Sequence, residues 1–176
     1  NSFGYDDCPG HPVWLEPCEW LGQKDKKYQL HLISNQPKDK LHSQLDHGKF
    51  SRSNKVNGRE PVFINKKDAI KRNLKDKDLV QVYNDRGSCY ASVVIDNNLR
   101  SGVILISTGA WYDPIDPSIN NSPCKNGNPN TLTPDKGTSS LAQGPIAHTC
   151  MVEIRLAEGE IPSVTCLLYT SDAADD

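Results

Sequence analysis

Apolar residues fall in short runs that have the length and spacing of β-strands. Such runs predict strands at residues 28–34, 61–65, 79–83, 88–95, 103–107 and 149–156. Gln36-Pro37 ends the first run, because proline has no N–H to donate to a neighbouring strand. The turn residues Asn84–Gly87 stand between two runs and predict a hairpin.

Helical signals are short. Residues 38–46 predict a helical turn, and residues 47–60 predict an exposed polar loop. Asn65 is a typical N-cap, and Asp68 three positions later predicts a capping-box partner. Ile70 and Leu74 are expected on one face of the helix that follows.

Residues 108–147 predict a loop far longer than most connections within a domain. Its spaced apolar residues, Trp111, Tyr112, Ile115 and Leu141, are expected to anchor it, which favours an ordered, functional loop. Together, strands, short helices and long polar loops predict a mainly β fold, a small closed barrel with helices between strands.

Composition narrows the functional classes. The 176 residues carry 20 Lys+Arg and 22 Asp+Glu, a formal net charge of −2, which argues against nucleic-acid binding driven by net charge. No apolar run approaches the ~20 residues of a membrane span. The first five residues lack the features of a signal peptide. The sequence is interpreted as beginning partway through a longer chain.

Six cysteines show no CxxC spacing. Cys89 and Cys150 lie in strand-like runs and are expected to be buried thiols. Cys8 and Cys18 flank a Pro-rich loop, and are either a disulfide or two unrelated thiols. A zinc site with His11 is not expected, because a fourth ligand is missing.

Two loops carry candidate binding chemistry. Residues 34–45 combine a strand end, a turn and the donors Lys38, Lys40, His42 and Ser43, which suit a phosphate or pyrophosphate. The alternative is a solvated turn. Residues 125–148 are rich in Asn, Gln, Ser and Thr, which suit the edges of a heterocycle; the alternative is a flexible surface loop.

Residues 107–117 are a third candidate, in which Trp111 and Tyr112 are interpreted as packing anchors; the alternative is that this aromatic pair shapes a pocket wall. The chain contains no GxGxxG, P-loop, HExxH or GxSxG motif. No catalytic residue and no metal ligand is therefore predicted.

The amino-acid sequence of several segments resembles the C-terminal domain of the dimethyl sulfoxide reductase family, and most of all its trimethylamine N-oxide and biotin sulfoxide reductases. The resemblance rests on HLISNQPKDKLHSQLD, REPVFIN, VYNDRGSCYASVVI, STGAWYDP, KNGNPNTLT and DKGTSSLAQGPIAHTCMVEI. It implies a double-psi β-barrel and a bis(molybdopterin guanine dinucleotide) molybdenum cofactor. It also implies reduction of N-oxides or S-oxides by a larger enzyme of which this chain is an inactive fragment.

The resemblance places cofactor contacts in the same two loops. They fall on Ser34, Gln36, His42, Ser43 and Gln44 in the first loop, and on Asn130, Gln143 and His148 in the second. Asn126 stands where the family motif has histidine, so the resemblance assigns no binding role to that side chain.

The resemblance divides the chain into a segment at 1–27 that packs on other parts of the enzyme, a cofactor-binding domain at 28–156 and a tail at 157–176. Cys166–Asp176 matches nothing in the family and resembles translated sequencing adapter. The implied partners are the remaining domains of the same subunit and a c-type cytochrome, in the periplasm rather than the cytoplasm. A stand-alone, non-enzymatic double-psi binding module is the alternative.

Overall fold

The computed structural model describes residues 4–168. Its six strands are β1 (Leu30–Ile33), β2 (Pro61–Ile64), β3 (Leu79–Tyr83), β4 (Ser88–Ile95), β5 (Val103–Leu105) and β6 (Met151–Leu156). Two short helices, α1 (Lys49–Ser53) and α2 (Lys66–Lys71), and a 3-10 turn at Pro129–Thr131 complete the elements. All six predicted strands are present, with ends that differ by a few residues.

The strands close into a barrel in the order β1-β5-β2-β4-β3-β6. Two pairs are parallel, β1 with β5 and β2 with β4, and the remaining neighbours are antiparallel. The β3–β4 hairpin pairs Leu79 with Ser92 and Tyr83 with Ser88, as the turn at Asn84–Gly87 predicts. The mainly β, closed double-psi barrel expected from the sequence is confirmed.

The core fills the barrel interior. Its fully buried side chains include Leu30, Leu32, Val62, Ile64, Val80, Val82, Ala91, Val93, Ile104 and Val152. β1 and β3 alternate between buried and partly buried positions, the pattern of a strand with one face on a core. β4 is buried at six consecutive positions, and Cys124 forms an isolated bridge with Cys89 near the start of this strand.

The helical turn predicted at 38–46 is wrong. Leu41 pairs with Gln44 across a tight turn, and His42 and Leu45 have φ values of 51° and 66°. Residues in this left-handed region break the repeat of a right-handed helix. The helix in this region is α1, inside the stretch predicted as an exposed loop, where Ser51 is buried and donates its Oγ–H to the Asp39 carbonyl.

The N-cap prediction for α2 is confirmed, since the Asn65 side chain accepts a hydrogen bond from Lys67 N at 2.8 Å. The capping box is wrong, because the Asp68 carboxylate instead accepts from Ser101 Oγ and Gly102 N. The expected shared face of Ile70 and Leu74 is also wrong. The helix ends before Leu74, which is buried, whereas Ile70 is exposed.

The long loop at 108–147 is held only in part by the residues expected, since Trp111 alone of the four is hydrogen-bonded to the first loop. Ile115 and Leu141 are exposed, and the fully buried side chains of Cys124, Asn126 and Leu132 anchor the loop instead. Two of these anchors, Cys124 and Asn126, are small or polar, and a search for large apolar residues misses them.

All six thiols are free, so the disulfide considered for Cys8 and Cys18 does not form. Cys89 and Cys150 are buried, as expected. Burial raises the pKa of both thiols, that of Cys150 to about 11, which keeps them protonated. Residues 4–168 contain no group of three or more potential metal ligands and no helix long and apolar enough to cross a membrane.

Beyond β6 the chain returns to the barrel. Asp113 accepts hydrogen bonds from Thr165 N and Cys166 N, Arg59 donates to the carbonyl of Pro162, and Leu167 is buried. The domain boundaries proposed from the sequence, including the tail at 157–176, stay predictions. Residues 169–176 of that tail lie outside the described residues.

Two isoleucines of different exposure test the core. Ile64 is fully buried in β2, whereas Ile70 in α2 is 63% exposed. Ile64→Ala should lower the free energy of unfolding by about 2–5 kcal/mol, because it leaves a cavity in the barrel. Ile70→Ala should change it by less than about 0.5 kcal/mol. Urea unfolding of the two variants measures both values, and equal losses would contradict the assigned core.

Candidate functional site

A cleft of about 660 Å³ opens beyond the ends of β1 and β5. Ser34 follows β1 directly, and Thr108 follows β5 by three residues. Because β1 and β5 are parallel, their carboxyl ends lie at the same edge, and the two following loops face each other. The cleft is lined by Ser34, Gln36, His42, Ser43, Thr108, Gly109, Ala110, Trp111, Tyr112, Asn128 and Asn130.

Five of the eight predicted site residues therefore come together: Ser34, Gln36, His42, Ser43 and Asn130. Four of them lie on the first loop and one on the second, although about 90 residues of sequence separate the loops. The structure thus joins the two loops in one cleft.

The wall formed by the first loop touches the wall formed by residues 108–111. Gly109 has a φ of +94°, and a Cβ at this position would overlap the carbonyl oxygen of His42. Trp111 donates its indole Nε1–H to the carbonyl of Ser43 at 2.7 Å, and its ring lies 5.3 Å from that of His47. These contacts fix the turn that carries His42 and Ser43.

The second loop presents its residues from the 3-10 turn. The Asn128 side chain accepts a hydrogen bond from Asn130 N at 2.9 Å and so caps this turn. The Asn130 side chain is exposed at the cleft. Asn128 therefore orients the backbone from which Asn130 projects.

A second lobe of about 400 Å³ continues from Tyr112, Asn128 and Asn130. Its far side includes Arg86, whose guanidinium forms a bidentate ion pair with Glu19. The hydrogen bond with Glu19 raises the pKa of Arg86 despite partial burial, so the group is permanently charged. The cleft is thus elongated, with the Arg86–Glu19 ion pair at one end.

The charge of the lining residues indicates the kind of ligand. No Asp or Glu lies among the described residues that line either lobe. A different cavity of about 420 Å³ is lined by Asp39, Glu60 and Asp96 together with Lys38 and Lys55. Carboxylates repel an anion, so the carboxylate-free cleft is the better match for a ligand with phosphates and hydrogen-bonding rings.

Three predicted site residues lie outside the cleft lining. Gln44 is on the same turn as His42 but is exposed beside the cleft. Gln143 donates to the carbonyls of Ser139 and Ser140 in its own loop, and the His148 carbonyl accepts from His31. Roles of these three residues in binding stay predictions.

Sequence reasoning missed several lining residues. Thr108 and Gly109 lie in the third candidate segment at 107–117, but no binding role was assigned to them from the sequence. Trp111 and Tyr112 were interpreted as packing anchors, and the structure adds a place in the cleft wall. Asn126 is fully buried below the cleft, where it donates to the Trp111 carbonyl.

Below the cleft, four buried charged side chains form a closed ring. Lys40 contacts Asp46 at 3.0 Å and Glu60 at 2.8 Å, and Lys55 contacts the same carboxylates at 2.9 and 3.0 Å. No side chain of this buried ring is more than 6% exposed. Two cations face two carboxylates, so its net charge is zero.

The buried ring also binds the cleft wall. The second carboxylate oxygen of Asp46 accepts from Trp111 N at 3.0 Å and from Asn126 Nδ2 at 3.2 Å. Burial raises the pKa of Asp46, but Lys55, the Trp111 N–H and Lys40 outweigh it and hold the pKa below its usual value. Burial lowers the pKa of Lys40, but Glu60 and Asp46 outweigh it and raise the pKa overall.

This fold and cleft define a closed barrel domain in which two loops meet around an elongated cleft. Residues 30–151 match the molydopterin dinucleotide binding domain family, and the chain belongs to that family. The match confirms the family relationship expected from the sequence.

Curated relatives share the sequence over most of this chain. The trimethylamine-N-oxide reductase of Haemophilus influenzae is 43% identical over 94% of the chain, and trimethylamine-N-oxide reductase 1 of Escherichia coli K12 is 46% identical over 93%. The biotin sulfoxide reductase of Cereibacter sphaeroides is 43% identical over 90%. The chain spans about a fifth of the length of each: 20%, 20% and 21%.

Among solved structures, acetylene hydratase from Pelobacter acetylenicus matches 89% of this chain and 22% of its own, with a TM-score of 0.68 and 16% identity. This similarity concerns the fold alone, and it agrees with the closed barrel described above.

The buried ring predicts how stability depends on pH. The Asp46 pKa is below 3.8 in the folded chain, so its stabilisation is present above pH 3.8 and is lost as pH falls further. The Lys40 pKa is above 10.5, so its stabilisation is present below pH 10.5 and is lost as pH rises through the folded value. The contribution of the ring to the free energy of unfolding should therefore be nearly constant between these limits and fall outside them, as urea unfolding of wild type and ring variants measures.

Asp46→Asn should reduce the acid-side slope of the unfolding free energy, by up to about 1.4 kcal/mol per pH unit. The exposed Asp25, changed to Asn, is the matched control. An acid-side slope that is the same in wild type and Asp46→Asn would show that Asp46 does not carry this effect.

Proposed function

We propose that this chain is the cofactor-binding part of a molybdenum reductase, and that its two-lobed cleft holds the nucleotide portion of bis(molybdopterin guanine dinucleotide). The observation that carries the proposal is the cleft itself. In a chain of the molydopterin dinucleotide binding domain family, two loops meet in an elongated cleft, and none of its lining residues within 4–168 is a carboxylate.

The lining residues suit a dinucleotide. His42 and Ser43 offer donors for a phosphate at one wall, with Ser34 and Gln36 beside them. Asn130 offers both an amide donor and an acceptor, which match the edge of a heterocycle. The second lobe lengthens the cleft, as a ligand with two nucleotide-sized parts requires.

When bound, the molybdenum group supplies two-electron redox chemistry. The residues of this chain bind and orient the nucleotide portion. No carboxylate among the described lining residues repels its phosphates. The chain itself therefore contributes binding and positioning rather than bond-making groups.

The substrate class follows from the relatives, whose names specify trimethylamine N-oxide, dimethyl sulfoxide and biotin sulfoxide. We infer that this chain acts with further domains of the same catalytic subunit on an N-oxide or S-oxide. The chain spans about 20% of these relatives, which leaves room for such domains. A c-type cytochrome as electron donor and a periplasmic location complete the proposal.

The direct test is a chimera. This chain replaces the aligned segment of Escherichia coli trimethylamine-N-oxide reductase 1, to which it is 46% identical. Molybdenum and guanine nucleotide per polypeptide are measured on the purified chimera. Occupancy close to that of the parent enzyme supports the proposal, and a folded chimera without either component contradicts it.

In that chimera, His42→Ala should lower molybdenum occupancy more than it lowers stability. Loss of a hydrogen bond to a charged phosphate costs about 1.5–3 kcal/mol of binding, whereas exposed His42 contributes little to the fold. The exposed His11, changed to Ala, is the matched control. Full occupancy combined with a large drop in melting temperature would make His42 a structural residue.

Asn130→Ala should also release cofactor from the chimera. An unpaired heterocycle edge in the closed site costs about 1–3 kcal/mol. Exposed Asn97 lies in a distant turn and gives the control Asn97→Ala, whereas Asn128 is unsuitable because it caps the turn that carries Asn130. Guanine nucleotide retained per polypeptide is the readout, and equal retention in both variants would exclude Asn130 from the contact.

A further inference from the structure

The buried ring brackets the turn that carries the cleft residues. Lys40 immediately precedes this turn and Asp46 immediately follows it, and their side chains meet at 3.0 Å. His42 and Ser43 lie between these two pinned ends. The ion pair therefore closes a loop over the five residues 41–45. None of the four ring residues lines the cleft.

The same ring holds the opposite wall. Asp46 accepts from Trp111 N, and the Trp111 indole in turn donates to the carbonyl of Ser43. At the other end of the turn, the Lys40 carbonyl accepts from Gln36 Nε2 at 2.8 Å. Both walls of the cleft are thus tied to one pair of charged residues.

Lys55 and Glu60 complete the charge balance. Lys55 contacts Asp46 and Glu60 contacts Lys40, and Lys55 also donates to Asn126 Oδ1 at 3.2 Å. Without them, Lys40 and Asp46 would each lack a second buried counter-charge. Removing one partner from such a buried set leaves an uncompensated charge.

From this arrangement we infer that the buried ring of Lys40, Asp46, Lys55 and Glu60 is a positioning device. It holds the turn at 41–45 and the wall at 108–111 in the shape that the ligand requires, so that binding does not have to order them. Apolar side chains of similar volume would stabilise the fold equally well, but they would not fix the direction of the turn. The inference rests on the proposed function for the identity of the ligand only.

Two amides report on the turn and the wall without bonding to the ring. Gln44 N donates to the Leu41 carbonyl and Thr108 N to the Asn35 carbonyl, both at 2.9 Å. Their hydrogen exchange is measured at pH 7 in the 176-residue chain, in wild type, Asp46→Asn and Ile64→Ala. Ile64→Ala weakens the barrel from inside without touching the ring, and so controls for lost stability.

In Asp46→Asn, both reporter amides should exchange at least about ten-fold faster than in Ile64→Ala, because the walls open locally. Guanosine diphosphate, used as a probe and followed by NMR titration, should bind at least about ten-fold more weakly to Asp46→Asn and within about two-fold of wild type to Ile64→Ala. Equal exchange of the reporters in the two variants would overturn the inference, because the ring would then act on global stability alone.

The two hypotheses fail in different ways. If guanosine diphosphate does not bind to the wild-type chain, the proposed ligand is wrong, and reporter exchange alone decides the role of the ring. If Asp46→Asn does not fold, the double variant Lys40→Met/Asp46→Asn keeps one buried pair, Lys55 with Glu60 at 3.0 Å, and the net charge at zero. The same comparison with Ile64→Ala then applies.

Discussion

Parallel pairing of β1 with β5 determines where the candidate site lies. Strands that run in the same direction end at the same edge, so the loops after Ile33 and Leu105 must face each other. Neither loop has a complete binding surface of its own. The barrel supplies the constraint, and closure through β6 on one side and β2 on the other prevents the pair from shifting in register.

The charged residues below the cleft follow a different physical rule. Transfer of four charges from water into the protein costs several kcal/mol per ion before attraction is counted, so such a set is weak support for stability by itself. Every side chain in this one has at least two partners, and the set is neutral as a whole. Asp46 of this set accepts directional hydrogen bonds from Trp111 N and Asn126. These bonds fix the geometry of the cleft walls, which an apolar core at this position would not do.

The sequence predicted the parts of the structure that depend on local pattern. Strand positions, the β3–β4 turn and the Asn65 cap all follow from residues close together in the chain. The turn at 38–46 could not be predicted correctly, because its shape depends on contacts between Lys40, Asp46 and residues 60–126, far away in sequence. The same is true of Ser51 and Asn126, polar residues whose burial depends entirely on distant partners.

For the candidate site, residue types indicated the chemistry, but only the fold joined the two loops. One failure of local reasoning, the turn at 38–46, lies at the site itself. His42 adopts a φ of 51°, which is uncommon for a residue other than glycine, and it does so directly against Gly109, where a side chain could not fit. Such strained positions persist when surrounding contacts determine them, and they cluster at sites of function. Here the surrounding contacts are the Trp111–Ser43 hydrogen bond and the Lys40–Asp46 pair. The strain at His42 and the buried charges are therefore parts of one arrangement. The charges hold the turn in a conformation that its own sequence does not favour, and that conformation directs His42 and Ser43 into the cleft.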